Sequence, residues 1–331
     1  MGMTEYTVND SDFKLLGRTA AVDGSAVLSW TNSGFDFKYC GGGFVLFFEE
    51  YALQSPVYLK LIVDGKEQKA VVSTGKEAVV YEDIREGVHI ARVIRITEGE
   101  VPLRVCRVRI TGKKAQLLER PADKKIKLEF IGDSLTCGYG VLGEPSTTGF
   151  ELYEEDGTRA YAYRAAELLG ADASFVCVSG KGMVCDCTGA RVYTVPEWYE
   201  YETRLGGKWD FSRFVPDVVV INIGTNDAWG QAPVEDFRRI SFEFLSRLRG
   251  RYPNAYILWA FGFMGTALVP VVRDIVRNFN RTDGNTGFYN IPPVFGKRGA
   301  IGGGGHPSAS ANERLARSIA RVISARFDGK L

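Results

Sequence analysis

Between residues 26 and 111 the chain reads as short apolar runs separated by turn residues. The runs 26–30, 43–48, 57–63, 70–72, 89–96 and 103–111 are bounded by Gly, Asn or Asp. In the run 89–96 apolar residues mostly alternate with polar ones, and 105–110 partly repeats the pattern. A half-buried strand needs this period of two, because successive side chains point to opposite faces. Asp64-Gly65, Glu86-Gly87 and Glu98-Gly99 read as turns between such strands. The run of patterns contains no helical period. Residues 1–120 are therefore expected to form an all-β sandwich of jelly-roll kind.

The stretch 115–125 is charged, with a single proline at Pro121, and reads as a linker into a second domain spanning 125–331. Strands and helices then alternate. Strands are expected at 127–131, 173–178, 217–223, 255–261 and 287–291, and helices at 159–169, 234–249, 268–279 and 311–327. The run 217–223 is almost all Val and Ile, as in a strand buried on both faces of a parallel sheet. In 234–249, Phe237, Ile240, Phe244 and Leu248 make one apolar stripe. Ser310, three residues before Glu313, has capping-box spacing for the last helix. Alternating β and α elements imply a three-layer α/β domain.

Bulk numbers narrow the function classes. A length of 331 residues fits two domains of about 100–200 residues each. With 41 basic and 40 acidic residues, the net charge of +1 gives no electrostatic footing for nucleic acid or an anionic membrane surface. No apolar run reaches the roughly 18 residues that span a bilayer. The start, Met1 to Tyr6, is polar and lacks the apolar core of a signal peptide. The expectation is a soluble, cytoplasmic chain, or a secreted one if a leader has been removed. Six cysteines are too few for a disulfide scaffold, and Cys185 and Cys187 stand too close together for usual zinc spacing. The two histidines, His89 and His306, leave little ligand supply for a structural zinc.

Four segments carry possible chemistry. Gly132-Asp133-Ser134-Leu135-Thr136 follows the first parallel strand, so Ser134 reaches the carboxyl edge of the sheet, where open α/β sheets bind ligands. Its bland alternative is a serine N-cap. Gly224-Thr225-Asn226-Asp227 reaches the same edge, and the Asn226 amide can donate to a developing oxyanion; an Asx turn is the alternative. Ser179-Gly180-Lys181-Gly182 offers open backbone N–H groups, or is an ordinary glycine loop. Gly305-His306-Pro307 precedes the last helix. A serine hydroxyl needs an adjacent base. His89 lies inside a strand pattern and reads as structural, so serine–histidine chemistry must use His306.

In this order the four segments resemble the SGNH, or GDSL, hydrolase superfamily over roughly 125–331. The resemblance implies a flavodoxin-like three-layer domain with no metal or organic cofactor. It implies Ser134 as nucleophile and first oxyanion donor through its N–H, His306 as general base, Asn226 as a side-chain donor and a glycine N–H as a third. Gly182 is preferred for that third role, with Gly180 the alternative. Such enzymes place an acid two or three residues before the histidine, and here Gly304 and Gly303 stand there. A backbone carbonyl from the glycine run behind the imidazole is the favoured substitute. A carboxylate distant in sequence, or a weakened site, are the others.

Gly17-Arg18, Ser29-Trp30 and Ser33-Gly34-Phe35-Asp36-Phe37 resemble the opening of family-two carbohydrate esterases, which join a jelly roll to an SGNH domain. That resemblance implies deacetylation of acylated oligo- or polysaccharides, and the charge balance already speaks against a nucleic acid or membrane partner. In many such enzymes an aromatic beside the histidine contacts sugar. Gly305 holds that place, so Trp198, Tyr199 and Trp229 are the candidate substitutes. Two rival readings remain: a lipase or acyl-thioesterase, and a non-catalytic carbohydrate-binding protein with a decayed site.

Overall fold

The computed structural model describes residues 2–8, 11–49, 55–73, 78–99, 101–145 and 151–327. Met1 and the last four residues, which begin and end the two expected domains, lie outside these. Two compact units divide the chain: Met1–Asp123 with Glu202–Lys208, and Lys124–Tyr201 with Trp209–Leu331.

The first unit is antiparallel. Among the described residues its ten paired strands run in the order Ala20–Val22, Ser25–Leu28, Leu103–Gly112, Gly34–Phe48, Ala78–Arg95, Val57–Val63 and Lys66–Val72, with Gly2–Thr7, Lys14–Leu16 and Gln116–Leu117 joined at the sides. The two longest strands make the sandwich. Gly34–Phe48 pairs with Ala78–Arg95 along its length, but its other edge changes partner. Lys14–Leu16 flanks its first half and Leu103–Gly112 its second. The ladder shifts register between Gly41 and Gly43, and such an irregularity bends a strand. A Cβ on Gly41 would lie 2.5 Å from the Thr111 carbonyl oxygen, so the close approach at the bend requires glycine. Between the layers lie Phe13, Phe35, Phe37, Tyr39, Phe44 and Leu46, all fully buried.

Glu86-Gly87, expected as a turn, is instead mid-strand, with Gly87 opposite Gly41 at the bend. Asp64-Gly65 is the expected hairpin, both residues at positive φ (48° and 81°), which suits the right-handed twist of its strands. The hairpin formed by Tyr201–Thr203 and Gly206–Lys208 was not anticipated. Its Glu202–Lys208 part belongs to this first unit, although sequence reading placed it in the second domain. Trp30 Nε1 donates to Glu202 O (2.8 Å), and Arg204 N donates to Ser29 Oγ (2.8 Å).

The second unit is the expected three-layer α/β domain. Five strands, all parallel, run in the order Asp172–Cys177, Lys127–Gly132, Val218–Asn222, Tyr256–Phe261, Thr286–Asn290. Chain order is thus 2-1-3-4-5, and the connections leave the first strand in opposite directions. Right-handed crossovers then put helices on both faces. Tyr161–Leu168 packs with Ala309–Arg326, and Val234–Arg251 with Val269–Asp283. The last helix starts two residues earlier than expected. Ser308, rather than Ser310, caps it by accepting from Ala311 N (3.4 Å), and Glu313 instead pairs with Arg164 and Arg317. The point where strand order reverses lies between the carboxyl ends of Lys127–Gly132 and Val218–Asn222. A crevice opens there in this fold class.

Candidate active site

Three strand ends deliver the site's loops to that crevice. At the first, a Cβ on Gly132 would lie 1.8 Å from Thr136 Oγ1, so only glycine permits the abrupt bend from strand into the helix Ser134–Cys137. Asp133 is that helix's N-cap, accepting from Leu135 N (3.0 Å). Ser134 is therefore not the cap. Its hydroxyl is left for other work, and it is 8% exposed.

That hydroxyl lies 2.9 Å from His306 Nε2, while His306 Nδ1 lies 3.0 Å from Gly304 O. A carbonyl oxygen can only accept, so the Nδ1 proton is fixed facing Gly304 and the Nε2 lone pair faces the serine. The carbonyl stands where an acid is usual. Gly304 and Gly305 hold left-handed conformations (φ 56° and 72°), which turn the Gly304 carbonyl back under the ring. The turn is tied at both ends. Gly302 N donates to His306 O (2.7 Å), His306 N to Gly303 O (3.1 Å), Gly303 N to Gly140 O (2.8 Å) and Ala309 N to Val141 O (3.1 Å). A Cβ on Gly303 would lie 2.8 Å from Glu154 Oε2 and 3.1 Å from Gly143 Cα, so an acid there would have to displace its neighbours. Tyr139 supports the other side of the ring, with centroids 4.4 Å apart.

The second and third strand ends supply the donors. Val178 O accepts from Lys181 N (3.3 Å), closing a turn in which Gly180 has φ 74°. Gly180 lines the cavity beside Ser134; Gly182 is buried behind it and is not part of that wall. Asn226, in the short helix Thr225–Trp229, lines the same cavity. Its Nδ2 donates to Lys181 O (2.9 Å) and, over a longer reach, to Asp133 Oδ2 (3.3 Å). A trans peptide points its C=O and N–H in opposite directions, so the Gly182 N–H faces away from the Asn226 amide that holds Lys181 O. Placement therefore favours Gly180 over Gly182, reversing the preference drawn from sequence.

Asp227, quoted in the motif but given no role from sequence, is fully buried. Its carboxylate accepts from Met183 N (2.8 Å), Val184 N (2.7 Å) and Cys185 N (3.3 Å). Burial pushes its carboxyl pKa up, against the pull of those backbone donors. Tyr139, Met264 and Cys187 are further wall residues that sequence reading missed. They arrive on loops whose neighbourhood no local pattern announces.

The cavity over the serine–histidine pair measures about 300 Å³. Of the three candidate sugar-binding aromatics, only Trp229 reaches it, with 62% of its surface exposed. Tyr199 is core, its hydroxyl donating to buried Glu129 (2.5 Å). Trp198 packs against Tyr193 and Tyr201. His89, as expected, is structural. It is buried in the first unit with Nδ1 2.6 Å from Asp64 Oδ2.

Comparison with known proteins adds the following. Residues 130–324 match the GDSL-like Lipase/Acylhydrolase family. The cellulase/esterase CelE of Acetivibrio thermocellus is 32% identical over 279 residues, covering 80% of this chain and 34% of CelE. An acetylxylan esterase / glucomannan deacetylase of Cellvibrio japonicus is 26% identical over 231 residues, covering 66% of this chain and 62% of that protein. The chain thus spans about a third of the first relative and under two thirds of the second. Among solved structures, a family two carbohydrate esterase from Clostridium thermocellum in complex with cellohexaose superposes with TM-score 0.87 at 28% identity, covering 96% of this chain and 99% of that one. The acetyl xylan esterase Est2A of Butyrivibrio proteoclasticus shares the fold, with TM-score 0.90 at 20% identity over 100% of this chain and 99% of that one.

Proposed function

The chain belongs to the GDSL-like lipase/acylhydrolase family, and from that premise we propose that it is a serine esterase removing short acyl groups, acetyl first, from O-acylated saccharides. The observation that carries the chemistry is the hydrogen-bonded line Ser134 Oγ, His306 Nε2, His306 Nδ1, Gly304 O. The substrate class is supported by relatives named as an acetylxylan esterase / glucomannan deacetylase and a cellulase/esterase.

Ser134 Oγ attacks the ester carbonyl as its proton passes to His306 Nε2. The Gly304 carbonyl stabilises the imidazolium through the Nδ1 proton. This is weaker support than a carboxylate gives, because the carbonyl carries only a dipole. The carbonyl oxygen of the substrate becomes an oxyanion that accepts from Ser134 N–H, from a backbone N–H of the 180–182 segment, with Gly180 favoured, and from the Asn226 N–H that exchanges its long bond to Asp133 Oδ2 (3.3 Å) for the oxyanion while the other keeps Lys181 O. Collapse breaks the ester C–O bond, and the sugar oxygen leaves with the proton from Nε2. Water then attacks the acyl-enzyme, gives its proton to Nε2, and Ser134 recovers it as the carboxylic acid departs.

Ser134→Ala should abolish p-nitrophenyl acetate hydrolysis while the circular dichroism spectrum stays native. Unchanged turnover in that variant would remove Ser134 from the reaction. Rates across acetyl, butyryl, octanoyl and palmitoyl esters should fall steeply with length. A rise toward palmitoyl would select the lipase reading instead.

A further inference from the structure

Two consecutive side chains on the helix Thr225–Trp229 grip one loop on both sides of a single residue. Asn226 Nδ2 holds Lys181 O, the carbonyl just before Gly182. Asp227 holds Met183, Val184 and Cys185 through their N–H groups, just after it. Three successive N–H groups converging on one point form an anion-binding concavity, and the Asp227 carboxylate fills it. Bonds from N–H to a carboxylate are about twice as strong as neutral ones, so this hold is stiff. It also sets a steric requirement. A Cβ on Gly182 would lie 2.4 Å from Asp227 Oδ2 and 2.4 Å from Cys185 O.

The grip extends to the nucleophile. Asn226 Nδ2 also reaches Asp133 Oδ2 (3.3 Å), and Asp133 caps the helix that begins with Ser134. The glycine loop, the Asn226 amide and the Ser134 turn are thus joined by side-chain bonds inside the second unit. We propose that Asp227 is a positioning residue for the oxyanion site: its carboxylate holds the 180–185 loop so that a glycine N–H, the Asn226 amide and the Ser134 N–H face one oxygen. It touches no substrate. This inference rests on the serine-esterase reading given above.

An oxyanion site acts only when its donors are fixed before charge develops. Loosening the loop therefore harms the transition state and spares ground-state binding. Asp227→Asn replaces one accepting oxygen with an N–H₂ group facing an N–H, so the loop loses at least one anchor. With p-nitrophenyl acetate and an acetylated xylo-oligosaccharide, kcat should fall about 10²-fold, the typical cost of losing one donor. KM should stay within about threefold. Affinity for a boronic acid, which forms a tetrahedral adduct with the serine, should fall by the same factor as kcat/KM.

Gly182→Ala is the second variant. It keeps the carboxylate but presses a methyl group onto it, and should give the same kcat-selective loss if Asp227→Asn does not fold. A folded Asp227→Asn protein with kcat within threefold of wild type would overturn the proposal. So would a loss that equals the fraction unfolded at the assay temperature. Failure of the esterase reading itself is separable: Ser134→Ala would then retain activity, whereas failure of this inference leaves Ser134→Ala inactive and Asp227→Asn fast.

Discussion

The molecule has two histidines, and they invert the usual expectation about what makes an imidazole catalytic. His89, in the β unit, has what a catalytic histidine is supposed to have: a carboxylate, Asp64, 2.6 Å from Nδ1, and an aromatic ring packed beside it at a tilt, Tyr39. Its other nitrogen lies 3.2 Å from Arg85 O, a carbonyl with no proton to give. His306, in the α/β unit, has the neutral Gly304 carbonyl at Nδ1 and the Tyr139 ring beside it, yet its Nε2 faces a serine hydroxyl. The acid behind an imidazole orients it and adds charge. The group in front decides whether there is a reaction. His89 is held well at both nitrogens but aimed at no hydroxyl, and its bond to Asp64 serves the hairpin at Asp64-Gly65.

The largest effect that can break this contrast is removal of each ring in turn. His306→Gln should lower kcat for p-nitrophenyl acetate by about 10²–10⁴-fold, the range for a positioned general base, with the native fold retained. His89→Gln should leave kcat within twofold and reduce stability by about 0.5–1.5 kcal/mol, the net worth of a typical hydrogen bond, because the Asp64 carboxylate it frees is half exposed. The paired readouts are steady-state kinetics and urea midpoints. A kinetic loss in His89→Gln comparable to that in His306→Gln would mean that an imidazole's aim, as seen here, is the wrong criterion.

The same contrast shows what local sequence can and cannot reveal. Ser134, Asn226 and His306 were legible because each follows a strand or precedes a helix in a motif, and the parallel sheet carries strand ends to one edge. The 2-1-3-4-5 sheet followed from the alternation of apolar runs and helical stripes. The glycine run 302–305 announced a backbone carbonyl in place of an acid, since glycine permits the left-handed turn that delivers it. Asp227 and Tyr139 were invisible for a different reason. Their value lies in contacts with residues 183–185 and 306, which no periodicity relates to them. Glu86-Gly87 misled because a glycine demanded by a bent strand carries the same local signal as one in a turn. The return of Glu202–Lys208 escapes a sequence reading because no local pattern marks it: past the domain boundary the chain lends seven residues back to the first unit.

A smaller effect tests the carbonyl itself. Gly304 sits at φ 56°, and a left-handed conformation costs an L-residue roughly 1–2 kcal/mol. Gly304→Ala can relieve that strain only by rotating the peptide that presents its carbonyl to Nδ1. The expected outcome is a fall in kcat of about tenfold, corresponding to about 1.4 kcal/mol of lost support, with KM little changed. An unaltered kcat would show that His306 is aimed by its ties to Gly303 and by Tyr139, and that the carbonyl contributes nothing beyond proximity.

The smallest effect concerns the pair that does no chemistry. Burial raises the Asp64 carboxyl pKa, but the bond from His89, the Ile90 N–H and nearby positive charge outweigh it, so the carboxyl lies below its ordinary value. Between the lowered folded value and the ordinary unfolded one, the unfolded chain binds more protons, so stability rises with pH there. The Asp64 contribution is therefore complete above the ordinary aspartate range and disappears as pH falls through the folded value. Asp64 is half exposed (49%), so the contribution is screened and should shrink further in high salt. Urea midpoints of wild type and Asp64→Asn should differ at pH 6 and converge toward pH 3, while kcat at pH 7 is the same for both. A kcat change in Asp64→Asn would give His89 a part in the reaction after all, and the division between a well-held histidine and a well-aimed one would fail.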